Sequence, residues 1–86
     1  MKSFEITFSK SAVKEIESLD NPLIERIWEK IEHLVQNPRP AGCLKLQGSN
    51  NLWRIRVGDY RILYSISDED LIVDIISIKH RKDVYK

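Results

Sequence analysis

The run Leu52-Trp53-Arg54-Ile55-Arg56-Val57-Gly58-Asp59-Tyr60-Arg61-Ile62-Leu63-Tyr64 constrains the fold more than any other stretch of the chain. Apolar and polar residues alternate on both sides of Gly58-Asp59, and that dipeptide between alternating runs is a two-residue hairpin signal. The loop length fixes a register. Val57 faces Tyr60, Arg56 faces Arg61, Ile55 faces Ile62 and Arg54 faces Leu63. Trp53, Ile55, Val57, Tyr60, Ile62, Tyr64 and Ile66 then share one face of the hairpin, and Arg54, Arg56 and Arg61 share the other. Like charges directly opposite one another weaken a sheet by roughly a few tenths of a kcal/mol or more. The pairing of Arg56 with Arg61 therefore predicts an anionic ligand. Phosphate is the first candidate, because the planar guanidinium fork matches it and keeps its charge at physiological pH. A plainer reading of Arg54 and Arg56 is the wet face of an edge hairpin, where charge discourages aggregation.

Phe4, Ile6 and Phe8 alternate with Glu5 and Thr7, which predicts a short first strand with one buried face. Ser9 or Ser11 can cap a helix carrying Ala12, Ile16 and Leu19 at helical spacing until Asp20-Asn21-Pro22 interrupts it. Pro22 fits the first turn of a second helix with Asn21 as its cap. Leu23, Ile24, Ile27, Trp28, Ile31, Leu34 and Val35 form one apolar stripe on that helix, opposite Glu25, Arg26, Glu29, Lys30, Glu32 and His33. The periodicity assigns Trp28, like Trp53, to the core, and His33 to a polar face where it needs no function. Asn37-Pro38-Arg39-Pro40 ends the helix.

A short extended piece around Leu44–Leu46, the arginine hairpin and a last strand from Leu71 to about Lys79 complete an antiparallel meander. Pairing Ile66 with Leu71 sends Val73 and Ile75 to the core and Asp74 outward; a one-residue slip would bury Asp74. Ile72, Ile76 and Ile78 then join Arg61 on the outer face, which makes the last strand apolar on both sides and central, and the same parity carries His80 toward the arginines. The expected architecture is α+β: an N-terminal strand and a helical hairpin packed on a twisted antiparallel sheet of about four strands, in one domain spanning 1–86.

The formal net charge is only +1, yet the charges are sorted along the chain. Residues 39–66 carry five basic groups and one acidic group, residues 67–78 four acidic groups and no basic one, and residues 79–86 four basic groups and one acidic. If the fold joins the two basic blocks, the patch so formed attracts polyanions. No apolar run approaches the roughly 18 residues of a membrane span, and the first residues lead into a strand pattern rather than an apolar signal segment. Cytoplasmic residence is the default expectation. The lone Cys43 cannot form an internal disulfide and reads as a small, semi-buried residue.

The candidate site joins Arg54, Arg56 and Arg61 of the hairpin to His80, Arg81 and Tyr85 of the tail. Arginines neutralise a phosphate and the charge that develops on it in a displacement, histidine passes protons near neutral pH, and tyrosine stacks on a base or bonds a phosphate oxygen. The acidic residues sit at no recognisable metal-ligand spacing, so no metal is implied.

Three segments in order, Lys45-Leu46-Gln47-Gly48, Leu52 through Tyr64, and His80-Arg81-Lys82-Asp83-Val84-Tyr85, closely resemble the RelE branch of the RelE/ParE toxin superfamily, and the likeness covers nearly the whole chain. The resemblance implies the toxin half of a type II toxin-antitoxin pair, a ribosome-dependent endonuclease that enters the 30S A site and cuts the exposed mRNA codon. It implies attack by the RNA's own 2′-hydroxyl, leaving a 2′,3′-cyclic phosphate and a free 5′-hydroxyl, with no metal or cofactor. It also implies a RelB-like antitoxin partner and no membrane association.

By matching motif positions, Arg61 and Arg81 would hold the scissile phosphate, Arg54 and Arg56 would stand as the hairpin cations, and Tyr85 would orient or stack the nucleotide. Lys45, Lys79 and Lys82 would add contacts to RNA. Relatives often have lysine where this chain has Arg54 and Arg56, and arginine is effectively always charged. A general base at Arg56 is thereby disfavoured, and His80 becomes the candidate for proton transfer. Two other classes stay open from sequence: a ParE-like gyrase inhibitor and a non-catalytic RNA-binding module of the same fold.

Overall fold

The computed structural model describes residues 3–48 and 51–84. Along the chain come β1 (Glu5–Phe8), α1 (Lys10–Glu17), α2 (Asn21–Gln36), β2 (Leu44–Lys45), β3 (Leu52–Val57), β4 (Tyr60–Ser67), β5 (Ile72–His80) and α3 (Arg81–Val84). The α+β expectation of a strand, a helical hairpin and a sheet is met. The sheet has five strands in the order β1-β5-β4-β3-β2, and β1 runs parallel to β5 while every other pair is antiparallel. The two-residue β2 supplies the fifth strand. β1 reaches its partner across most of the chain, so no local turn sets its direction. β5 lies between β1 and β4, as its apolar residues on both faces require.

One face of the sheet holds the core. Ile55, Val57, Ile62, Tyr64, Ile66, Val73, Ile75 and Ile78 meet Ala12 and Ile16 of α1 and Ile27, Ile31 and Leu34 of α2. Ser9 caps α1: its Oγ accepts the Ala12 N–H at 3.0 Å and donates to the Ile76 carbonyl at 2.7 Å. The cap of α2 is Asp20 rather than Asn21, with Pro22 in the first turn. Trp28 is not a core residue. It is 41% exposed and sets its ring against Phe8, edge to face at 5.3 Å, because it lies at the rim of the apolar stripe over the sheet's edge strand.

The last strand differs from the expected pairing in two respects. Ser67 pairs with Ile72 and Ile66 with Val73, so Leu71 belongs to the turn, where it takes φ +55°. This shift of two preserves parity: Val73 and Ile75 are buried, and Asp74 accepts the Thr7 hydroxyl at 2.6 Å on the outer face. A bulge then follows, since Tyr64 pairs with Ile75 but Leu63 with Ser77, leaving Ile76 as the extra residue. Beyond it every side chain of β5 changes face. Ile78 pairs with Ile62 and is buried, Lys79 stands opposite Arg61, and His80 stands opposite Tyr60 rather than among the arginines.

β1 ends opposite Ile75, and α1 covers the β5 edge left open beyond it. Ser9 N–H donates to the Ile75 carbonyl at 2.9 Å, and the Glu15 carboxylate accepts the Ile78 N–H at 3.0 Å.

Candidate active site

The hairpin has the register that its two-residue loop dictates, with Arg56 directly opposite Arg61. Gly58 takes φ +58°, the left-handed value of the first position in a type II′ loop, which suits glycine. Because of the bulge, Lys79 stands on the other flank of Arg61, and the three cations form one row across β3, β4 and β5. Arg61, in the middle strand of the row, is only 9% exposed. Lys79 holds Glu15 of α1 at 2.7 Å and is thereby turned to the helix.

The tail meets the hairpin turn through the backbone. Arg81 N–H donates to the Asp59 carbonyl at 2.7 Å, which extends the β4–β5 ladder by one bond and starts α3 beside the turn. His80 closes that start: its Nδ1 accepts the Lys82 N–H at 3.2 Å while its ring meets Tyr60 edge to face at 5.2 Å. The Asp59 carboxylate lies 4.0 Å from Arg81 Nε, with both side chains more than half exposed. At that distance and exposure the ion pair is weak and leaves the guanidinium available.

These contacts enclose a cleft of about 240 Å³ lined by Arg56, Gly58, Asp59, Arg61, Arg81 and Lys82. Among the described residues four cations and one carboxylate line it, which makes their combined field positive. Guanidinium groups grip phosphate oxygens bidentately and stabilise charge that grows on them. The cleft therefore suits an anionic group undergoing displacement.

Of the expected site residues, the fold brings Arg56, Arg61, Arg81 and Lys82 together. Arg54 is on the same sheet face between Leu44 and Leu63, one side-chain step along β3 from Arg56, and does not line the cleft. Lys45 pairs with Trp53 and so projects on the opposite face, its Nζ 5.9 Å from that ring's centre, with the Arg39 guanidinium 5.0 Å from the same ring. Lys79 borders Arg61 but is tied to Glu15. His80 caps α3 from the Tyr60 side, outside the cleft lining. Tyr85 lies outside the described residues. Alternation marks Asp59 only as a turn residue, yet the fold sets it in the cleft wall. A signal for it exists, since it is the one carboxylate in the basic block 39–66.

Residues 6–85 match the family model described as the ParE toxin of the type II toxin-antitoxin system parDE. The chain is 30% identical over 86 residues to the RelE1 toxin of Methanocaldococcus jannaschii, with 96% of each chain covered. It is 29% identical over 84 residues to the mRNA interferase toxin RelE of Escherichia coli, covering 93% of this chain and 87% of that one. Among solved structures, the archaeal RelE–RelB complex of Pyrococcus horikoshii superimposes with a TM-score of 0.82 at 31% identity, covering 92% of this chain and 96% of that chain. A family match over nearly the whole chain, RelE relatives at full length and a RelE fold place the chain in the RelE/ParE superfamily of type II toxin-antitoxin toxins, on its RelE side.

Proposed function

We propose that this toxin is a ribosome-dependent mRNA endonuclease that works without a metal ion, and that the cleft between the hairpin turn and α3 is where it cuts. The observation that carries the reading is the convergence of Arg56 and Arg61 with Arg81 and Lys82 around one cleft, although some twenty residues of sequence separate the two pairs. The mRNA interferase name borne by the Escherichia coli relative agrees with it.

In the proposed reaction the 2′-oxygen of the RNA forms a bond to the adjacent phosphorus as the bond to the 5′-oxygen breaks. The products are a 2′,3′-cyclic phosphate and a 5′-hydroxyl; the proton leaves the 2′-oxygen and one is delivered to the departing 5′-oxygen. Arg61 and Arg81 hold the non-bridging oxygens, where charge grows in the transition state, and Arg56 and Lys82 neutralise the flanking strand. Arginines cannot carry the proton. Tyr85 orients the nucleotide and Arg54 extends the positive field, while Lys79 borders Arg61 with its charge offset by Glu15 and reaches RNA only by exchanging that carboxylate for a phosphate. Lys45, on the other face, contributes to RNA only where the substrate wraps the edge of β2. The RelE–RelB complexes among the structural neighbours support a RelB-like antitoxin as cognate partner.

The test is cell-free translation with the purified chain, reading mRNA 5′ ends on ribosomes. Cleavage within ribosome-bound codons is expected, with Arg61→Ala and Arg81→Ala each slowing it by about 10²- to 10³-fold, the loss seen when one donor to a developing oxyanion is removed. The ParE description of the family model favours a second reading, inhibition of DNA gyrase. Intact mRNA together with blocked supercoiling would establish that reading and overturn the first.

A further inference from the structure

The outer surface of α2 is sorted by charge. Glu25, Glu29 and Glu32 recur at i, i+4 and i+7, and Arg26, Lys30 and His33 do the same one residue later. Like charges at i, i+4 destabilise a helix, so the Glu25–Glu29 and Arg26–Lys30 pairs both work against α2. Among the described residues, neither Arg26 nor Lys30 forms an ion pair that would offset this.

The basic row faces β3, which among the described residues has no strand beside it beyond Arg54. Two adjoining clefts fill that gap. One, of about 320 Å³, is lined in part by Arg26, Lys30, His33, Arg56 and Gly58 together with the carboxylate of Glu29, which the cations outnumber; the other, of about 180 Å³, is lined in part by Lys30, His33, Arg56 and the loop Pro40–Gly42. The Arg26 guanidinium lies over the hairpin turn, its Nη2 3.6 Å from where a Cβ on Gly58 would stand. Arg56 and Gly58 also line the cleft described above, so the two regions are continuous around the hairpin.

We infer that the α2–β3 groove is a second RNA-binding subsite, in which Arg26 and Lys30 receive phosphodiester groups next to the one held in the cleft. Arg26 and Lys30 stand about 6 Å apart along the helix axis, which is of the order of one nucleotide step. The inference extends the proposed function, since the ligand is RNA in both. The phosphates come either from the mRNA strand itself or from ribosomal RNA.

The double variant Arg26→Gln/Lys30→Gln tests it, with binding measured by fluorescence anisotropy across a salt series. One probe is a short single-stranded RNA made uncleavable by 2′-O-methylation; the other is the vacant ribosome. Loss of two phosphate contacts is expected to weaken binding about 5- to 20-fold at moderate salt and to flatten the log–log salt slope by about 1.4, at about 0.7 per contact on single strands. A loss on the oligonucleotide assigns the groove to the mRNA strand; a loss on the ribosome alone assigns it to ribosomal RNA. Unchanged affinity and slope on both probes overturns the inference. Glu29→Gln, which removes the carboxylate from the same groove, should tighten binding. Both residues are exposed, glutamine suits a helix and the Arg26–Lys30 repulsion is removed, so thermal melting should show the double variant to be at least as stable as wild type. Failure of the wild-type chain to cut ribosome-bound mRNA would count against the proposed function alone, because binding in the groove is read by anisotropy and needs no cleavage.

Discussion

Tyr64 shows how much one side chain can be asked to do in a small core. Its ring is fully buried in β4 against α2, and its hydroxyl donates to the Pro38 carbonyl at 2.7 Å, which fastens the loop after α2 to the sheet. Burial, with the Cys43 thiol beside it, pushes the phenol well above its ordinary value near 10. A raised folded pKa means that the un-ionised form contributes stability in full below about pH 10 and loses it as pH climbs toward the folded value. Tyr64→Phe should lower stability by about 1–2 kcal/mol at neutral pH, because the Pro38 carbonyl is left without its donor. Urea titrations of both proteins from pH 7 to 11 check this: the gap should narrow above about pH 10, where wild type alone loses the benefit of a neutral hydroxyl.

At the scale of elements, the hairpin was legible to the residue and β5 was not, for a physical reason. A two-residue loop admits one register, and any slip would turn Ile55 and Val57 to solvent. In β5, isoleucines at 72, 75, 76 and 78 satisfy either face, so nothing in the alternation betrays an extra residue at Ile76. The bulge moves Ile78 into the core, Lys79 beside Arg61, and His80 to Tyr60. The meeting of Arg56 with Arg61 could thus be read from sequence, whereas the placement of His80 could not, and the groove behind β3 needed the helix and the strand edge together.

The bulge also recasts His80. Its Nδ1 is engaged as the acceptor for Lys82 N–H, so it holds the start of α3 and through it Arg81. We propose positioning, rather than proton transfer, as its part. His80→Asn keeps a side-chain acceptor but has no group that titrates, whereas His80→Ala has neither. In the ribosome cleavage assay His80→Ala should lose about 5- to 20-fold, the worth of roughly 1–2 kcal/mol of lost capping, and His80→Asn should recover most of it. Equal losses in both variants would return the proton to histidine.

Taken as a whole, the molecule is nearly neutral, with a formal net charge of +1. A body of that charge has little long-range pull on a polyanion unless its cations are gathered. The fold gathers them: the basic blocks 39–66 and 79–86 meet where Arg81 bonds to Asp59, while the acidic turn Asp68–Asp70 sits at the far end of β4. Screening over about 8 Å at physiological ionic strength leaves adjacent phosphates within reach of the cleft and hides the acidic turn. Four cations in the cleft should give a log–log salt slope of about −3 for single-stranded RNA, and the α2 row should carry it toward about −4. Raising salt from 50 to 200 mM should then weaken binding by about 50-fold or more. The measurement is the same anisotropy titration on the wild-type chain. A slope no steeper than about −1 would mean that these cations engage phosphate singly, and the gathering that the hairpin and tail achieve would have no bearing on RNA.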